Sequence, residues 1–145
     1  MRIGGVKVVH AVQAAGRHVV PFRKRLRRLR RALRPYQDNP GNTHYCITNG
    51  IEQIQALRDA GFSAEGRTVL EFGSGWHPLI PWLFQVAGAR EVVLTDIDRL
   101  MDPRTIEQAR LMVRSRSADV ARGLGMAEEE VFRALDAPLR HAYHV

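Results

Sequence analysis

The sequence predicts an α/β domain, a parallel sheet with helices on its faces. Three observations predict it. A short apolar run, Thr68 to Phe72, leads through the loop "GSGWHP" into an apolar helical stretch. A second apolar run, "EVVLTD" at residues 91–96, ends on an acid. Between and beyond these runs the pattern alternates helix, strand, helix, strand, helix, as a parallel sheet requires of its crossovers.

The elements follow in chain order. Residues 1–36 hold 11 Lys and Arg and no Asp or Glu, whereas residues 37–145 hold 11 basic and 15 acidic residues, a net of −4. The overall charge of +7 therefore belongs to an N-terminal arm, and the remaining chain, 37–145, is a mildly acidic body. Within the arm, Phe22, Leu26, Leu29 and Leu33 fall on one helical stripe among arginines, with Pro21 in the first turn and Pro35 ending the pattern. Three uses fit such a basic amphipathic helix. It packs its leucines on the body and leaves the arginines in water, or residues 17–34 touch an acidic membrane surface or an acidic partner, or it meets nucleic acid. The last is not expected, because no aromatic residue is interleaved for base stacking.

Residues 36–46, "YQDNPGNTHYC", are rich in turn formers and are expected to be a loop. A helix is expected from about Thr48 to Ala60, with Ile51, Ile54 and Leu57 on one face and Gly61 as its stop. Thr68 to Phe72 is a strand of the buried kind. Leu79 to Ala87 is a helix opened by Pro78 and closed by Gly88. After the second strand, "DPRTIEQARLMVRSRSADVARGLG" predicts one long helix with Asp102 as N-cap and Pro103 at the first helical position. Glu128 to Leu135 is a further short helix, and "LRHAYHV" begins a third strand.

Composition excludes several classes. Cys46 is the only cysteine, so no intrachain disulfide and no cysteine metal cluster can form. No apolar run approaches the roughly 20 residues of a membrane-crossing helix, and the apolar N-terminal stretch is broken by Lys7, His10 and Gln13. A cytoplasmic location is expected. The six histidines are scattered without metal-ligand spacing, so no metal is expected. There is no G-x-S-x-G elbow and no phosphate-binding lysine loop.

The chemistry concentrates in "VLEFGSGWHP", residues 69–78. In open parallel sheets, ligands bind beyond the carboxyl ends of the strands. Gly73 can turn the chain tightly, and Gly75, lacking a Cβ, lets a ligand approach the backbone. Asp96 ends the second strand 23 positions after Gly73, where it can accept hydrogen bonds from both hydroxyls of a ribose. A dinucleotide site would want a third glycine where Pro78 stands, and Glu71 is an awkward neighbour for a pyrophosphate. Glu71 suits a ligand with an ammonium group instead. An ammonium, a ribose with both hydroxyls free and no phosphate together describe S-adenosylmethionine. The bland alternative makes Glu71 a strand-end charge and the glycines a simple turn. Trp76 is read as a packing residue and His77 as a helix cap, with cofactor contact or a base role as its alternatives.

On these residues the chain resembles class I S-adenosylmethionine-dependent methyltransferases: "VLEFGSG" and "EVVLTD" look like that family's first two motifs, within a likeness spanning about residues 45–100. The resemblance implies a Rossmann-like methyltransferase fold, with Glu71 near the methionine end of the cofactor, Gly73 and Gly75 accommodating it, Asp96 on the ribose and Ile97 beside the adenine. His77 stands where many members carry a further glycine. His44 and Tyr45 precede the first strand, where relatives often close a lid, and Asp98 is a further polar residue by the site. The implied activity is methyl transfer to a small-molecule acceptor, with no catalytic base assignable. Only two or three strands are countable, fewer than the family's sheet holds, so the chain is expected to be the N-terminal portion of such a domain, truncated or split, and weak or inactive alone. Two other readings are a nicotinamide-dinucleotide-binding oxidoreductase fragment and a non-catalytic interaction module built on the basic arm.

Overall fold

Strand and helix alternate as the pattern requires from Thr68 onward. The computed structural model describes residues 40–73, 75, 77–96 and 101–144. The basic arm, with its leucine stripe and the proposed contact surface of residues 17–34, lies outside the described residues. The described elements are α1 (Pro40–Asp59), β1 (Thr68–Phe72), α2 (Leu79–Val86), β2 (Glu91–Thr95), α3 (Pro103–Arg114), α4 (Ser117–Leu124), α5 (Glu128–Asp136) and β3 (His141–His144). The strands form one sheet in the order β1-β2-β3, parallel throughout. The chain is thus mixed α/β, with a small three-stranded parallel sheet and, among the described residues, five helices.

Two expectations are corrected. Residues 40–46 are helical, because α1 starts at Pro40 rather than near Thr48. Proline suits a first helical position, where its missing N–H is not needed. The turn-forming composition is outweighed by packing, since the early α1 residues Thr43 and Ile47 are buried. The long helix after Asp102 is two helices, with a turn at Ser115 and Arg116. The Ser115 hydroxyl donates to the Met112 carbonyl at 2.8 Å, a back-bond that competes with helix continuation. The bend lets Ala109 and Val113 on one side of it and Val120 and Leu124 on the other all enter the core.

Other boundaries follow local chemistry. Asp102 caps α3 as expected: its carboxylate accepts from the Thr105 N–H at 2.9 Å, and the Thr105 hydroxyl accepts from the Asp102 N–H at 3.0 Å. The chain leaves α1 through Gly61, which adopts φ 81°, a left-handed conformation that glycine takes without strain.

The helices cover one face of the sheet. The centre of the core is α2, whose Leu79, Trp82, Leu83, Phe84 and Val86 are buried together with Val92 and Leu94 of β2. In the parallel register Val69 lies opposite Val92 and Glu71 opposite Leu94, so these residues share the covered face. Leu70 and Phe72 point the other way and are 52% and 78% exposed. The residues of β1 therefore alternate as in a half-buried strand rather than the fully buried strand the apolar run predicts. Helices α1 and α2 approach closely, because a Cβ at Gly50 would come within 2.5 Å of Leu83 Cδ1.

Gln85 joins α2 to the segment that leads into β3. It is buried, its amide donates to the Ala134 carbonyl at 3.0 Å and also lies near those of Ala137 and Pro138, and its oxygen accepts from the Arg140 N–H at 2.8 Å. No described helix is long and apolar enough to cross a membrane.

Candidate functional site at the strand ends

The carboxyl ends of β1 and β2 lie side by side, with Phe72 opposite Thr95. One residue beyond that pair, the chain departs from the sheet in two different ways. From β1 it turns through Gly73 and Gly75, at φ 71° and 62°. Both conformations are in the left-handed region, which residues with a Cβ enter only at a penalty. From β2 it presents Asp96.

The loop is anchored to the end of β2 by consecutive residues. The Gly73 N–H donates to the Thr95 carbonyl at 2.8 Å and extends the sheet ladder by one bond. The Gly75 N–H donates to Asp96 Oδ2 at 2.8 Å. The Thr95 hydroxyl donates back to the Glu71 carbonyl at 3.2 Å. Gly73, Gly75 and Asp96 are therefore brought together as the sequence predicts, and the loop is tied down by β2.

Glu71 stands on the covered face, at the last inward position of β1. Its side chain is only partly exposed, its Oε2 is hidden from water, and that oxygen accepts no hydrogen bond among the described residues. Burial pushes the Glu71 carboxyl up to about 7, because a charge without water or a partner is destabilised in its ionised form. Cys46 of α1 feels it: burial first, and then the nearby Glu71 charge, push the Cys46 thiol up. The sequence reading missed this neighbour. Its only trace there is the position of Cys46 one helical turn before Gly50, the residue that brings α1 against α2.

The remaining candidates divide. Ile97, Asp98 and Trp76 lie outside the described residues. The expectation that His77 caps α2 is corrected: the N-cap is Pro78, with no side-chain capping bond, and His77 meets the helix through its carbonyl, which accepts from the Leu79 N–H at 2.9 Å. His44 and Tyr45 lie on α1, both exposed, on the element that brings Cys46 towards Glu71. They belong to a helix and not to the loop expected there. Among the described residues, no three His, Cys, Asp or Glu side chains are grouped to hold a metal ion.

Chemically, the strand ends offer three things. A carboxylate at the end of β2 can accept hydroxyl hydrogen bonds. A glycine loop lets a ligand approach main-chain atoms. A buried carboxyl is poised to ionise when a cation arrives. Against protein-family models, curated proteins and solved structures, the chain finds no match.

Proposed function

We propose that the chain binds S-adenosylmethionine at the carboxyl ends of β1 and β2, on a Rossmann-like methyltransferase fold, and serves methyl transfer to a small molecule. The observation that carries the reading is Glu71: a carboxyl with one oxygen hidden and unpartnered among the described residues, beside a loop of two left-handed glycines and an acid at the next strand end. Folded chains seldom leave such an oxygen without a partner, and a ligand, an ion or a water supplies it. The ligand's ammonium would supply the missing partner and favour the ionised form.

The fit of the other groups supports the same ligand. Asp96 offers acceptors to the two hydroxyls of a ribose. The first helical amides of α2 lie beyond Pro78, which has no N–H to offer, so a pyrophosphate would lack the close helix terminus that dinucleotides use. This favours S-adenosylmethionine over a nicotinamide dinucleotide. When bound, the cofactor supplies an electrophilic methyl group. The chain's own residues orient it: Glu71 at the ammonium, Gly73 and Gly75 along its backbone-facing side, and Asp96 at the ribose. Positioning of this kind supplies much of the rate in such a displacement. A general base is required only for an acceptor that must lose a proton.

Calorimetric titration with S-adenosylhomocysteine, beside its deaminated analogue, tests the reading. Saturable binding of the first, weaker binding of the second, and loss of that difference in Glu71→Gln are the expected results. Equal binding of both ligands by the unaltered chain removes Glu71 from the ammonium. No binding of either by folded protein rejects the cofactor.

A further inference from the structure

We infer that Asp96 has a second task that precedes any ligand: it clamps the glycine loop in the conformation that receives the cofactor. This rests on the cofactor reading for its consequence, but not for its geometry. The loop turns through two left-handed glycines, at φ 71° and 62°, and such a turn makes no regular ladder of its own. Its anchors come from β2. The main chain of Thr95 takes the Gly73 N–H, and the side chain of Asp96 takes the Gly75 N–H, each at 2.8 Å.

The second anchor is a charge-assisted bond, stronger than its neutral counterpart. Among the described residues no side chain packs where a Cβ at position 75 would stand, the nearest atom being the Gly73 carbonyl oxygen at 3.8 Å. The hydrogen bond to Asp96 is a specific restraint on it. A carboxylate has about four acceptor directions, so holding the Gly75 amide is compatible with accepting from ribose hydroxyls as well. The bond fixes both partners: the loop cannot swing away, and the carboxylate is oriented before a ligand arrives. Asp96 is thus a positioning residue for the loop as well as a contact for the ligand.

Amide hydrogen exchange by NMR on the unliganded full chain tests the clamp, using Asp96→Ala and Asp96→Asn. The Gly75 amide is expected to be protected in the unaltered chain. Its exchange should quicken about ten- to a hundredfold in Asp96→Ala, with a smaller increase in Asp96→Asn, which keeps an acceptor oxygen without its charge. The amides of Val92 and Leu94 serve as the control that the sheet is intact. A Gly75 amide that exchanges at the same rate in the unaltered chain and in whichever variant keeps the sheet overturns the clamp. Titrating the same samples with S-adenosylhomocysteine separates the two claims. A sensitive Gly75 amide without binding retains the clamp and rejects the cofactor, and binding with an insensitive amide does the reverse.

Discussion

Two polar side chains that face the core of this domain have opposite circumstances. Gln85, in the last turn of α2, is 3% exposed, and both ends of its amide have partners: the Ala134 carbonyl for its N–H and the Arg140 N–H for its oxygen. Glu71, at the end of β1, keeps one oxygen hidden and unpartnered among the described residues, with its carboxyl pushed up to about 7 by burial. The first arrangement is structural, because a buried polar group with its partners in place specifies one geometry. The second leaves the domain less stable, at a pH where the carboxyl is ionised, than it would be without the charge.

The comparison can be broken most severely at Gln85. Gln85→Leu fills the space but leaves the Arg140 N–H and the Ala134 carbonyl without their partner, and each buried orphan costs about 1–3 kcal/mol. A loss of about 3 kcal/mol is expected, read as a lower urea midpoint. A change below about 0.5 kcal/mol would show that the junction does not depend on this residue.

Glu71→Gln should act in the opposite direction, and only at higher pH. The folded carboxyl titrates near 7, above the ordinary 4.5. The folded state therefore retains a proton that the unfolded chain has lost between these values, and stability falls as pH rises through that window. The penalty is fully present above pH 7 and absent below 4.5. Relieving it, less about 1 kcal/mol for burying an unpaired amide, gives a gain of about 2 kcal/mol at pH 8 and a loss of about 1 kcal/mol at pH 4. Urea unfolding of both proteins at the two pH values measures it. Equal stabilisation at both would mean that Glu71 is not desolvated in the folded chain.

Gly75→Ala sharpens the contrast within the loop. A side chain at φ 62° costs about 1–2 kcal/mol, and the loop relaxes rather than the core. The expected result is a small loss of global stability with faster exchange confined to the Gly75 anchor. Faster exchange of Val92 and Leu94 as well would place the glycine in the core's stability. Phe72→Ser gives the smallest effect. Phe72 is apolar but 78% exposed, so the change should lie within about 0.5 kcal/mol. A loss of several kcal/mol by urea unfolding would mean that this face of the sheet is covered.

Much of this organisation is legible in the chain. The Asp102 cap and the helix it starts follow from a short polar side chain followed by proline; the reciprocal bond from the Asp102 N–H to the Thr105 hydroxyl oxygen is a finding of the structure. The third strand, His141–His144, falls within "LRHAYHV", where the sequence is expected to begin it. Residues 40–46 were obscured by turn formers, because proline and glycine suit both a loop and a helix start. The bend at Ser115 was hidden because a serine back-bond is no stronger a signal than an exposed serine. Nothing in the sequence marks Gln85 as a junction, since its partners are carbonyls and an amide some 50 residues away.

The sequence by itself determined the alternation of elements, the glycine loop after a strand and the acid that ends the next one, because those depend on periodicity, backbone freedom and spacing along the chain. Only the tertiary structure decided that Asp96 holds the Gly75 amide, that the Glu71 carboxyl is desolvated near Cys46, and that Leu70 and Phe72 on one face of β1 are exposed. Each of those depends on which segments distant in sequence become neighbours, and on how much water remains between them.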